Sequence, residues 1–414
     1  MDLDKTSRAS LLLPFMAAAG LLLLLDASVS QLMVQSHLDL GKSLNLPTPG
    51  YARFLALWML YASLAAAALA VGFARFFACG DRRARWAEAW NQASDHKWLL
   101  YASIFAFLIP AGLRTFLLDG TPLTDDESAY RFMAQVLASG QVYAESPPLK
   151  LFFDNRFMVN DGKMYAHFFV GWPALLVPGI WLGAAGFMNA IYSALTMPAL
   201  FAVLRRLTGS AWARAGTLIY LSSPMLMVTA ATETSHTSCV CALAWVTWLC
   251  LRSRDKGAPW WTHSLLAIVF CIAFFVRPTS ALGVGIPLLL WWLWGLRGGE
   301  EQQDGGGLLR GADLRGLVAF AVPTIVLAAL FLTVNKLQTG AYFEVAYQRA
   351  FTYAEENDFR FSLWPEDFEG DAFTELQFGD VQRSMAILGA AMYRFNVTFL
   401  GWPCSLLFAL FAGR

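Results

Sequence analysis

Apolar stretches of near-membrane length recur along this chain of 414 residues, and no other feature restricts its fold so tightly. They lie at about residues 11–25, 52–77, 98–118, 168–187, 190–204, 213–228, 238–250, 265–275, 281–294, 317–334 and 385–412. Many approach the ~20 residues that a helix needs to cross a hydrocarbon core of ~30 Å. With 57% of residues hydrophobic and 14% charged, the chain has too little polar surface to coat so many helices in water. The expectation is an all-α polytopic membrane protein with membrane lipid around it. A β-barrel would alternate lipid-facing and lumenal residues along shorter segments. The formal net charge is zero, so no polybasic surface points to nucleic acid. The six cysteines, Cys79, Cys239, Cys241, Cys250, Cys271 and Cys404, all fall in or beside apolar segments, which gives no disulfide framework.

The polar linkers orient the bundle. Residues 11–25 follow Lys5 and Arg8 and precede Ala27-Ser28-Val29-Ser30, a pattern shared by signal peptides and first spanning helices. The loop over residues 81–97 carries Arg82, Arg83 and Arg85, and clustered cations belong on the cytoplasmic side. The same tendency assigns the linkers at 205–214, 252–256 and 297–315 to the cytoplasm. Those signs agree only if residues 168–187 dip in and return, or pack against the bundle, instead of crossing. That stretch holds Gly171, Pro173, Pro178, Gly179, Gly183 and Gly186, and irregular backbone at membrane depth is tolerated against protein. On this topology the loop at 119–167, the stretch Thr232–His236, Arg277-Pro278 and residues 335–383 face outward together. The expected organisation is then two N-terminal helices and a basic loop (1–97), a membrane module bearing the external loop (98–334), an acidic external cap (335–384) and a last membrane helix (385–414).

Within the external loop, Thr124-Asp125-Asp126-Glu127 forms an acidic knot where the helix at 98–118 leaves the membrane. Ionisable groups at that boundary are costly and tend to be kept for chemistry. Adjacent acids raise one another's proton affinity, which suits a general base; the same acids would also ligate a divalent metal, or simply cap a helix. Residues 127–137 follow with Tyr130, Met133, Ala134 and Leu137 at helical spacing, and read as an amphipathic helix along the interface. Gly140 ends it, Pro147-Pro148 breaks the chain again, and Asn160-Asp161-Gly162-Lys163 reads as a tight turn. Glu145 reads as a loop acid able to meet an acceptor. Tyr165 and His167 flank the return to the membrane, where such side chains also serve as anchors. Glu233 and His236 sit three apart at a helix end on the same face.

Several motifs, taken in order, carry a resemblance. Asp126-Glu127-x-x-Tyr130 after a core helix resembles the start of the first external loop in membrane glycosyltransferases of the GT-C class. The similarity is greatest to glycosyltransferase family 39, which includes protein O-mannosyltransferases and the aminoarabinose transferases of lipid A. Val159-Asn160-Asp161-Gly162-Lys163-Met164-Tyr165, Gly171-Trp172-Pro173, Ser222-Ser223-Pro224, Ser235-His236-Thr237, Asn335-x-x-x-Thr339-Gly340 and Leu400-Gly401-Trp402-Pro403 agree with it. The resemblance implies a sugar donor linked through phosphate to a polyprenyl lipid, an acceptor hydroxyl on a glycan, lipid or protein, and inversion at the anomeric carbon. It implies Asp126 as general base, with Asp125 as its rival in register and Glu127 orienting the acceptor or a metal. It further implies a plasma membrane, bacterial by the similarity to lipid A enzymes, with the site on the periplasmic or extracellular face. Relatives of this kind continue past the helix at 385–412, so a short member or an incomplete chain is expected.

The chain departs from the aminoarabinose transferases at two phosphate-linked basic positions, with Ala129 before the loop tyrosine and Ser146 before Pro147-Pro148. Arg131, Lys150 and Arg277 are the candidate replacements on the donor phosphate. Tyr130, Glu145, Tyr165, His167, Glu233 and His236 are the candidate substrate contacts. A transporter or flippase, or a non-catalytic relative, is the alternative. A transporter would hold charges near the bilayer midplane, whereas here they cluster at the ends of the apolar segments.

Overall fold

The computed structural model describes residues 82–122, 124–154, 157–255, 257–295 and 314–356, and parts of 13–24 and 60–75. The chain divides into two compact units, residues 1–93 with 365–414, and residues 94–364. In the first, Arg82–Gln92 forms a helix in which Gln92 donates to Glu88 one turn back, at 2.9 Å. The expected last helix at 385–412, most of the acidic cap and the 297–313 linker lie outside the described residues.

The second unit is a helical bundle with a small mixed layer at one end. Helix α1 (Asp95–Gly112) opens with an acid in its first turn, where the helix dipole favours negative charge. It contains Pro110 and then loosens into a π-helical turn at Leu113–Leu117. A single wide turn of this kind commonly re-aims a functional side chain, and here the residue within it is the buried Arg114. Asp119 and Gly120, at φ 48° and 68°, stop the helix in left-handed conformation.

Beyond that stop, α2 (Asp125–Ala138) begins at Thr124. A short strand β1 (Ala144–Glu145) and the hairpin β2 (Met158–Asp161) and β3 (Lys163–Ala166) follow, in the order β1-β3-β2 and antiparallel throughout. Gly162, at φ 71°, makes the tight turn expected from Asn160-Asp161-Gly162-Lys163. The strands themselves are an addition to the all-α expectation. Their burial lies on the Met158–Asn160 and Met164–Ala166 stretches, inside a loop core shared with α2 and with α11 below.

The remaining helices are α3 (Gly171–Trp181), α4 (Met188–Thr208), α5 (Ser210–Ser222), α6 (Pro224–Ala231), α7 (His236–Ser253), α8 (Trp260–Val276), α9 (Pro278–Gly295), α10 (Leu314–Thr339) and α11 (Ala346–Glu356). Pro224 and Pro278 each occupy a helix N-terminus, where the missing N–H costs nothing, and each follows an extended residue, Ser223 or Arg277. The apolar run expected at 213–228 is thereby two helices.

Ion pairs fix the direction of each traverse. At one end Asp95 meets Arg214 at 2.6 Å, Arg205 at 3.5 Å and Ser210 at 2.8 Å, while Asp255 meets Arg206 at 2.7 Å and Arg252 at 2.8 Å. At the other end of α1, Arg114 meets Glu233 at 2.6 Å and packs on Gly186, whose missing side chain makes room for the guanidinium. Helices α1 and α4 are therefore antiparallel, and residues 118–187 leave and return at the same end. The eleven residues of α3 rise only about 16 Å, half of what a membrane crossing requires. By the same contacts α5 with α6 runs away from the Asp95 end, and α7 runs back to it. Helix α9 returns to that end too, where Arg254 stacks on Trp291 at 4.0 Å. Among the described residues, Asp95–Leu117, Ala185–Thr208 and Leu314–Thr339 are each long and apolar enough to span, and α6 with α7 forms one further bent pair.

Helix α2 is the joint between the two layers. Met133 and Val136 enter the loop core with Val159, Tyr165, Ala350 and Tyr353. Tyr130 and Ala134 enter a bundle cluster with Trp172, Leu176, Met188, Cys239 and Val276. The expected amphipathic helix is present, but it is buried on two faces instead of offering one to lipid. Trp181 at the end of α3 donates to Ala138 at its C-terminus, at 3.3 Å.

Candidate functional site

The bundle end that bears the loop layer is organised around the break between α6 and α7, where the chain bends by 116° over Thr232–Ser235. A break exposes backbone polar groups that need partners in an apolar setting. They come from four other elements. Arg114 donates to Ala231 O at 3.2 Å, Trp172 Nε1 to Glu233 O at 2.5 Å, and Asn189 Nδ2 to both Thr232 O and Thr234 O at 2.7 Å. The Glu233 N–H donates to Glu127 Oε2 at 2.8 Å.

The Glu233 carboxylate, 1% exposed, is held from two sides. Arg114, itself 3% exposed, donates to Oε1, and Arg131 donates through Nε to Oε2 at 2.9 Å and through Nη2 to Oε1. That hydrogen bond raises the affinity of Arg131 for its proton above the usual guanidinium range. Buried charges persist only when paired and hydrogen-bonded, and here two acids, Glu127 and Glu233, stand among two arginines.

A second group adjoins the first through Ser235. Its Oγ accepts from Tyr130 Oη at 3.3 Å and from Arg277 Nη1 at 3.1 Å. Tyr130 is buried, and burial pushes its phenol up to about 12. The negative charge of Asp126, one helical turn earlier, adds to the rise, while Arg277 opposes it. Asp126 is half-buried and Asp125, at the first position of α2, is exposed. Exposed His236 opens α7 within the field of Arg277. Phe168 lies 4.3 Å from the Tyr130 ring, and buried His167 sets its edge against Phe168 at 4.2 Å and Tyr347 at 5.0 Å.

Of the side chains singled out in the sequence, the fold thus gathers Asp126, Tyr130, Arg277 and His236 in one group with His167 beside it, and Glu127, Arg131 and Glu233 in the other. Lys150, Glu145 and Tyr165 take part in the loop layer. Lys150 lies over the Tyr353 ring at 5.1 Å, and Glu145 is exposed opposite Lys163 in the sheet. Tyr165 is buried in the loop core, and burial raises its phenol well above the usual range. Among the described residues no three His, Cys, Asp or Glu side chains converge as a metal site would require.

Sequence reasoning did not single out Arg114, Asn189 or Tyr347, and took Trp172 and Ser235 only as members of the motifs Gly171-Trp172-Pro173 and Ser235-His236-Thr237. Arg114 carried a usable signal, being the one charged residue within the apolar run 98–118. Asn189 carried none and Ser235 only its place in a motif, since the contacts of each depend on which carbonyl or donor the fold brings to it.

Residues 174–301 match the family model described as dolichyl-phosphate-mannose-protein mannosyltransferase. The matched stretch runs from α3 through α9 and contains Glu233, Ser235, His236 and Arg277. It is similar to membrane glycosyltransferases of the GT-C type. No curated protein and no solved structure matches the chain.

Proposed function

We propose that this chain is an inverting membrane glycosyltransferase that moves a sugar from a polyprenyl-phosphate donor to an acceptor hydroxyl, with Asp126 as general base. One observation carries the reading. The acidic helix α2 lies outside the stretch that matches the mannosyltransferase family, yet its Tyr130 shares the Ser235 hydroxyl with Arg277 from inside that stretch. An acid from the loop and a cation from the bundle therefore adjoin the same polar centre, as a displacement at carbon between a hydroxyl and a phosphate requires.

In this reaction the acceptor oxygen forms a bond to the anomeric carbon while the bond from that carbon to the phosphate oxygen breaks. The hydroxyl proton passes to the Asp126 carboxylate, and the electron pair leaves with the polyprenyl phosphate. Arg277, which donates one of its five guanidinium N–H groups to Ser235 through Nη1, meets the charge that develops on that phosphate. Arg131 adds positive potential from its place on Glu233. Positioning of the two substrates supplies much of the remaining acceleration. Tyr130, His167 and His236 adjoin this centre and are the candidate substrate contacts. The acceptor is a glycan, lipid or protein hydroxyl.

Sidedness follows from charge. Lys97, Arg205, Arg206, Arg214, Arg252 and Arg254 outnumber Asp95 and Asp255 at the far end of the bundle. The excess favours the cytoplasm for that end, which supports an outward-facing site; a bacterial plasma membrane is what the resemblance to the lipid A enzymes implies. Incubation of the purified protein with a panel of polyprenyl-phosphate sugars and of acceptors, followed by mass analysis, tests the reading. A product one sugar heavier than an acceptor is expected, and no such product from any donor would count against it.

A further inference from the structure

We infer that Glu233 is the positioning residue of the candidate site, its carboxylate and backbone clamping the first turns of α2 onto the membrane bundle so that Asp126 and Arg277 keep their separation; this rests on the glycosyltransferase reading above. Helix α2 follows a stop at Asp119-Gly120 and is reached through a short linker, so its covalent tether does little to fix its tilt. Its later turns are packed into two apolar clusters, and two polar ties fix its first turns. Glu127 accepts the Glu233 N–H, and Arg131, one turn later on the same helix, grips both carboxylate oxygens of Glu233. Asp126 is adjacent to the first tie, and Tyr130 to the second.

The anchor for both ties is itself immobilised. Arg114 binds the same carboxylate from α1, Trp172 holds the Glu233 carbonyl from α3, and Asn189 holds the carbonyls on either side from α4. Two residues on, Ser235 sets Tyr130 and Arg277 against each other. One helix break therefore fixes the base-bearing helix and the phosphate-facing arginine in a common frame. Glu233 is 1% exposed, with its carboxylate spent on two arginines, which suits holding the frame better than touching substrate.

The test combines amide hydrogen exchange with steady-state transfer for Glu233→Gln. Loss of the clamp is expected to speed exchange at residues 125–131 by about tenfold or more, since local opening sets the rate there. It is also expected to lower kcat by about tenfold or more with donor KM within about twofold, the pattern of lost alignment. Unchanged exchange over 125–131, or a raised KM at unchanged kcat, overturns the inference. Should that variant fail to fold, Arg131→Gln removes the more exposed partner and keeps the buried Arg114–Glu233 pair. Wild-type exchange and kcat in that variant likewise overturn it. Absence of transfer in the wild type would instead refute the glycosyltransferase reading, while the exchange comparison still judges the clamp.

Discussion

Gly171, at the start of α3, faces the backbone of Phe275 and Val276 at the end of α8, the two residues before Arg277. A Cβ added there would lie 2.6 Å from Val276 N and closer still to the Phe275 carbonyl, and ordinary contact begins at 3.4 Å. The obstacle is backbone, so no rotamer change relieves it, and the closest of these contacts requires α3 and α8 to separate by about 1.1 Å. Overpacking of that kind costs about 1–3 kcal/mol. A shift near 1 Å in groups that align a reaction can cost about a hundredfold in rate, and Arg277 rides on the displaced segment. Gly171→Ala should therefore lower the melting temperature in detergent and reduce kcat/KM by about 10- to 100-fold. Gly112→Ala is the control, because nothing lies within 4 Å of its added Cβ and the residue is helical. A Gly171→Ala protein that melts and reacts like the Gly112→Ala protein would refute the close approach and its link to Arg277.

Sidedness and proton chemistry give two further tests. Cysteine in place of exposed Thr208 should react with an impermeant thiol reagent only from the cytoplasm, and cysteine in place of exposed Glu145 only from outside; labelling of both from one side would break the antiparallel assignment of α1 and α4. Tyr130, pushed up to about 12 mainly by burial, stays protonated through the working range. Its folded value exceeds its ordinary value of 10.0, so the stability linked to it is present below about pH 10 and is lost as pH rises towards 12. Tyr130→Phe should remove that alkaline loss in a pH series of melting curves, and should leave the acidic limb of the rate profile where it was. An acidic limb that moves would mean the phenol is coupled to the catalytic proton.

The helices were largely readable because lipid demands length and apolarity, and those are properties of single segments. The charge argument that kept residues 168–187 from crossing draws on the same local information, and α3 has the short length it requires. In the candidate site the charged members Asp126, Arg131 and Glu233 were legible because ionisable residues beside apolar segments stand out in a sequence. What escaped depends on chain segments far apart. Asn189 is an ordinary helix residue until α4 brings it to Thr232 and Thr234, and Ser235 gains meaning only with Tyr130 and Arg277 around it. The β2–β3 hairpin escaped because its strands are four residues each, too short for alternation to register beside a turn. Lys150 read as a site residue because Ser146 leaves a basic position empty nearby, and Tyr165 because it flanks the return to the membrane; the contacts of both belong to the loop layer.

The central claim is that the Asp126 carboxylate takes the acceptor proton. Single-turnover transfer from a polyprenyl-phosphate sugar, compared between wild type, Asp126→Asn and Asp125→Asn, tests it most directly. General-base catalysis contributes about 10²–10⁴-fold, so Asp126→Asn should slow transfer by at least about a hundredfold with the donor still bound. Asp125→Asn, at the exposed first position of α2, should stay within a few-fold of wild type. Transfer by Asp126→Asn at the wild-type rate would contradict the account.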